Sequence, residues 1–149
     1  MRNGLIAGAL ATLPMTIVIL VSRRFGLFRT LPPEQIARNA ADEVGLEELE
    51  HNPAFGPIWL VLHEAFGAGC GALYQASAAP LLPPRITGGI LYGLAVWAVN
   101  YLGIMPALGL FPSIKRAGRR RTAVMIVAHL VYGATLALLS PARRRGARS

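Results

Sequence analysis

Long runs of apolar residues, broken by short charged clusters, set the reading of this chain. Four such runs stand out, at about 4–22, 54–79, 87–110 and 122–140. An α-helix rises ~1.5 Å per residue, so each run spans or nearly spans a ~30 Å hydrocarbon layer. The first lies between Arg2 and Arg23–Arg24. Its positive leader is minimal and no small-residue cleavage site precedes the Arg pair, which favours a retained helix over a signal peptide. The second carries His63 and Glu64 and is followed by Pro80, Pro83 and Pro84, residues that end helices. The third is the longest uncharged stretch, with Pro106 set to kink or end it. The fourth lies between Arg119–Arg121 and Arg143–Arg145.

The pattern predicts an all-α membrane protein, four transmembrane helices in one compact bundle, forming a single domain over 1–149. A soluble bundle with a very apolar core is the alternative, but soluble folds rarely hold such long uncharged segments. The linker 23–52 holds the one amphipathic stretch. Pro32–Pro33 before Glu34 reads as a helix start, and Ile36, Ala40 and Val44 recur at i, i+4, i+8. A short helix resting at the membrane interface follows.

Composition agrees. Hydrophobic residues make up 54% and charged residues 15%, against about a quarter charged in soluble domains. Mean hydropathy is +0.47. The formal net charge is +8, yet the Arg residues flank apolar runs. That placement suits lipid phosphates and topology rather than nucleic acid. The predicted partners are therefore the bilayer and a homo-oligomer or larger membrane complex, without nucleic acid. Cys70, the single cysteine, excludes an internal disulfide.

Two halves of the chain match weakly. Gly4-Leu-Ile-Ala-Gly8 parallels Gly89-Ile-Leu-Tyr-Gly93, and His63-Glu-Ala-Phe66-Gly67-Ala68 parallels His129-Leu-Val-Tyr132-Gly133-Ala134. Two similar helical hairpins are implied, related by an axis along the membrane normal. Gly4/Gly8, Gly67/Gly71, Gly89/Gly93 and Gly133/Ala137 each put two small residues on one helix face. Such faces let backbones approach closely in lipid. General glycine enrichment of membrane helices is the plainer explanation, and it also implies a packed bundle.

Converting position to depth at ~1.5 Å per residue places His63, Asn100, His129 and Thr16 roughly 10–12 Å from the face bearing the loops. Glu64 shares that depth but is turned about 100° from His63. Tyr74, Tyr101 and Tyr132 are possible supporting groups. Three readings compete for this polar layer. It can be purely structural, its members joined by interhelical hydrogen bonds. It can be a proton, ion or small-solute site built on His63, Glu64 and His129, with Asn100 orienting them. It can hold haem b between His63 and His129 as axial ligands, with weak Zn²⁺ binding by His/His/Glu a remoter case. No cofactor is predicted outright. Nucleophile elbows, HExxH, phosphate loops and cysteine pairs are all absent, and no catalytic residue is assigned.

The 23–52 linker and the 111–121 loop fall on one side. The first carries Asp42, Glu43, Glu47, Glu48 and Glu50; the second carries Lys115, Arg116, Arg119, Arg120 and Arg121. They can dock as a lid or remain solvated, where exposed pairs contribute little. Nine basic residues on this side against six on the other, the latter mostly in the tail 141–149, favour these loops in the cytoplasm.

The segments GLIAGALATLPM, LPPEQI, HEAFGAGCGALY, GILYGLAVWAVNYLGIMPALGL and HLVYGATLALL resemble the YagU-like group of uncharacterised bacterial inner-membrane proteins. The resemblance implies a multi-pass plasma-membrane protein. Members of that group are connected with tolerance of acid. The expectation is a non-enzymatic accessory or stress-related membrane component with a buried His/Asn layer. A conduit for protons or small solutes comes second, and a haem-binding redox subunit third.

Overall fold

The computed structural model of the chain describes residues 2–50, 52–53, 55–78 and 86–140, and helix accounts for nearly all the regular structure there. Four long helices form the body: α1 (Arg2–Arg24), α4 (Phe55–Leu73), α5 (Ile86–Ala98) and α8 (Arg119–Leu139). Short helices α2 (Pro32–Glu43), α3 (Glu47–Glu50), α6 (Met105–Ala107) and α7 (Ile114–Ala117) belong to the connections. The order across the bundle is α4, α1, α8, α5, with α1 on α4, α5 on α8, and α1 on α8 as the close pairs.

Three helical stretches, Asn3–Arg24, Ile86–Ala107 and Arg119–Leu139, are long and apolar enough to cross a membrane. The expected second span, α4, is not among them, because His63, Glu64 and several glycines dilute its hydropathy. A π-helical turn, Tyr74–Ala78, extends α4. Ala79, Pro80, Pro83 and Pro84, and the tail 141–149 with Arg143–Arg145, lie outside the described residues.

The helices are apolar outside and small or polar inside. In α1, Gly4, Ala7, Gly8, Ala11, Thr12, Met15, Thr16 and Ile19 face inward at helical spacing. Leu5, Ile6, Leu10, Leu13, Ile17 and Leu20 face outward, each at least 44% exposed. Buried hydroxyls are satisfied within the helix: Thr12 Oγ1 donates to Gly8 O and Thr16 Oγ1 to Thr12 O, both at 2.9 Å. Such back-bonding settles a hydroxyl where water is absent.

Two seams of glycine hold the body together. A methyl added at Gly8 would overlap the Gly67 carbonyl, and one at Gly71 would overlap Gly4 and Gly8 backbone atoms. Across the other pair, one at Gly89 would meet the Gly133 carbonyl and Ala137 Cβ, and one at Gly93 the His129 carbonyl. α1 thus lies on α4, and α5 on α8, at backbone contact.

Boundaries depart from expectation for physical reasons. The third long helix continues through a π-helical stretch, Val99–Ile104, into α6 and ends at Ala107 rather than near 110. Pro106 has no N–H and its ring crowds the preceding turn, and Met105 N–H bonds Asn100 O, five residues back. Gly109, at φ 71°, completes the stop. The last helix starts at Arg119 rather than Thr122. Cations oppose the helix dipole at an N-terminus, but Arg121 gains partners there. Its guanidinium lies 5.5 Å from the Phe28 ring centroid and 5.1 Å from that of Phe111, and Nη2 donates to Gln35 Oε1 at 2.6 Å.

α2 lies across the loop end of the bundle. Asn39 Nδ2 donates to Leu110 O at 2.9 Å. Arg38 pairs with Glu34 at 3.0 Å and sits 4.5 Å over the Phe55 ring. Ile36 packs against the core, but Val44 does not join it. The helix ends at Glu43, and Val44 caps it at 69% exposure.

The seams give a testable contrast. Gly133→Val is expected to destabilise the folded protein by at least the ~1–3 kcal/mol of an overpacked core. Gly69→Ala, where a Cβ meets nothing within 4 Å, is expected to be neutral or slightly stabilising. Thermal unfolding in mild detergent followed by circular dichroism measures both; equal losses would remove the seams from this account.

Candidate functional site

Alongside the loop-ward ends of the glycine seams the body opens into a cavity of about 220 Å³, with Gly67 and His129 in its wall. Counting from the loop end at ~1.5 Å per residue, His63 is ~12 Å along α4, His129 ~15 Å along α8 and Asn100 ~10 Å along the third long helix. All three line this cavity. The tight approaches at Gly71, Gly89 and Gly133 lie deeper. α4 and α5 do not pack closely side by side, and the space falls between them, with α2 closing it through Pro33, Ile36, Ala37 and Ala40.

His129 is buried, and its Nδ1 lies 2.7 Å from Met125 O. A carbonyl only accepts, so Nδ1 carries the proton and, in the neutral ring, Nε2 is an acceptor. The ring meets Tyr101 edge-on at 5.8 Å between centroids. Asn100, 7% exposed, donates from Nδ2 to Val96 O at 2.8 Å, and its Oδ1 has no protein partner. His63 is half-buried and its Nε2 likewise has no partner. Unpaired buried polar atoms are uncommon in folded proteins, and here two of them line one space.

The remaining candidates scatter. Thr16 is buried but spends its hydroxyl on α1 and does not line the cavity. Glu64 sits beside His63, yet it is outside the wall; its Oε1 has no hydrogen-bond partner. Tyr132 lines the cavity and donates to Gly67 O at 2.7 Å, fastening α8 to α4. Tyr101 also lines it and stacks edge-on against Phe111. Tyr74 lies elsewhere, 5.0 Å from the Tyr92 ring.

Sequence reasoning missed several wall residues. Thr12 lies one turn before Thr16, on the same face, and its spacing from Gly8 was the available signal. Trp59 and Cys70 are wall residues too. Tyr92 closes the floor side by donating to Cys70 O at 2.6 Å. Nothing in the pattern distinguished these aromatics from ordinary packing.

The arrangement limits its own chemistry. Among the described residues the wall holds no Asp, Glu, Lys or Arg. Among the described residues no group of three or more His, Cys, Asp or Glu side chains could hold a metal ion. Drug-sized ligands fill about 300–1,000 Å³, so about 220 Å³ suits several waters or one small solute better than a macrocycle.

Tyr132→Phe is expected to weaken the α4–α8 contact by about 0.5–1.5 kcal/mol, with the fold retained. Denaturant titration in detergent checks this. An unchanged midpoint would show that the Gly67 carbonyl gains nothing from the phenol.

A sequence model described as a family of unknown function, DUF6789, matches residues 1–144. No curated protein and no solved structure matches the chain.

Proposed function

The chain belongs to the DUF6789 family, and we propose that it is a non-enzymatic, four-span membrane protein whose polar layer lines a binding chamber. In this reading α4 crosses the bilayer with the three more apolar helices, His63 and Glu64 being the cost of the chamber. The two halves are similar hairpins, each zipped by its own glycine seam. The bacterial inner membrane is the proposed location, with the loop side cytoplasmic, and kinship with the YagU-like group is part of the same proposal. The protein would serve as an accessory or stress-related component by holding a small molecule.

One observation carries this reading. His63, Asn100 and His129 come from three helices to a single cavity that retains unpaired polar atoms. A layer serving only to join helices would spend its hydrogen-bonding capacity on other helices. Instead His129 and Asn100 bond backbone carbonyls of their own helices. The glycine seams and the Tyr92–Cys70 bond close the deeper half, which supports binding over through-passage. The position of Glu64 outside the lining further weighs against a proton relay through it.

Labelling of Cys70 tests the chamber. A small neutral methanethiosulfonate is expected to modify Cys70 in the full chain in nanodiscs. Val96→Phe, which fills the cavity from α5, is expected to slow the reaction several-fold without changing the unfolding temperature. Equal rates would sink the chamber. A Soret band lost in His63→Ala and His129→Ala would replace this reading with haem binding. A pH-dependent proteoliposome flux lost in Glu64→Gln would replace it with a conduit.

A further inference from the structure

We infer that the chamber selects a small, neutral, largely apolar molecule carrying a hydroxyl group, of the phenol or alcohol class. This rests on the binding-chamber reading and adds the ligand's chemistry.

Three features of the wall fix the class. First, the wall is mainly Met, Ile, Ala, Leu, Val and aromatic side chains. An apolar body is therefore favoured at roughly 25 cal/mol per Å² buried. Second, among the described residues it contains no charged side chain to offset a ligand's charge. An isolated ion in such a space is strongly disfavoured, which excludes carboxylates, phosphates and ammonium compounds. Third, its open polar positions are predominantly acceptors. Asn100 commits its Nδ2 to Val96 O and is left with Oδ1. His129 commits Nδ1–H to Met125 O and is left with a lone pair on Nε2.

A ligand that satisfies these acceptors must donate. Asn100 is 93% buried by its 7% exposure, so its unpaired Oδ1 has no bulk solvent to turn to. His63 Nε2, also unpaired, can either donate or accept. A hydroxyl answers both, giving its proton to an acceptor while its oxygen receives one. An ether or a ketone of the same size cannot donate and leaves Oδ1 unpaired. Sites with a buried group awaiting a hydrogen bond discriminate strongly against analogues lacking it.

The opening agrees with an apolar ligand. Leu62 and Phe66 line the chamber and are 55% and 50% exposed. They lie ~10 Å and ~16 Å along α4 from its loop end at ~1.5 Å per residue. The mouth is thus flanked by apolar side chains well inside the helix, where acyl chains would lie in the proposed four-span arrangement. A molecule already dissolved in the hydrocarbon reaches it there.

Trp59 lines the chamber and reports on it. In Trp97→Phe protein it is the single tryptophan, since the chain has two. The full chain in nanodiscs is titrated with 4-bromophenol and with 4-bromoanisole, whose bromine quenches tryptophan on contact. Free probe in the bilayer is corrected from protein-free nanodiscs. Saturable quenching by the phenol, with the ether at least about tenfold weaker, is the expected result, the size of one buried hydrogen bond. Asn100→Leu is expected to bring the two probes together by weakening the phenol. Equal affinities for the two probes in the Trp97→Phe chain would overturn the hydroxyl selection and leave the chamber standing. An absence of saturable quenching by either would overturn it as well, and the Cys70 protection by Val96→Phe then decides whether the chamber itself survives.

Discussion

The close approach of glycine backbones holds this structure in place. Gly8 meets the Gly67 carbonyl and Gly89 the Gly133 carbonyl, with only the small side chains of Thr12 and Ala137 beside them. Dispersion between backbones falls steeply with distance, so the contact exists only while both faces stay bare. The seams also set the axes. α4 is bound to α1, and α5 to α8, while α1 joins the two pairs. Nothing comparable ties α4 to α5, so the bundle is left open along one side.

The chamber follows from that opening. Tyr92 and Tyr132 reach backbone carbonyls of α4, at Cys70 and Gly67, and bridge the gap where the helices are still near. Nearer the loops, Trp59, Phe66 and Tyr101 line the space without filling it. α2 then covers the end, fastened by Asn39 to Leu110 O and by Arg121 to Gln35. The cover is polar where it meets the connecting loops and apolar where it meets the cavity, as its own pattern requires.

The distribution of polarity is the reverse of that in a water-soluble bundle. Large aliphatic side chains cover the outside of α1, and threonines and glycines lie within. Burying a hydroxyl or an imidazole is tolerable only with a partner, and most find one in the preceding turn of their own helix. That economy frees Asn100 Oδ1 and leaves His129 with an open ring nitrogen.

The helical nature of the chain, its four long elements and the small-residue faces were all legible in the sequence, because periodicity and backbone hydrogen bonding act locally. The common depth of His63, Asn100 and His129 could be counted along the helices, but depth alone did not say which way Asn100 turns. The π-helical stretch before Pro106 was not legible, although the proline that favours it was visible. The turn of about 100° between His63 and Glu64 was legible, but not that His63 faces the cavity and Glu64 does not, because direction acquires meaning only when neighbours are placed. Thr12 displaced Thr16 as a wall residue for the same reason. The sequence by itself determined which surfaces could come together; the tertiary structure decided where they fail to meet, because a cavity is a property of the distances between helices and of no single helix.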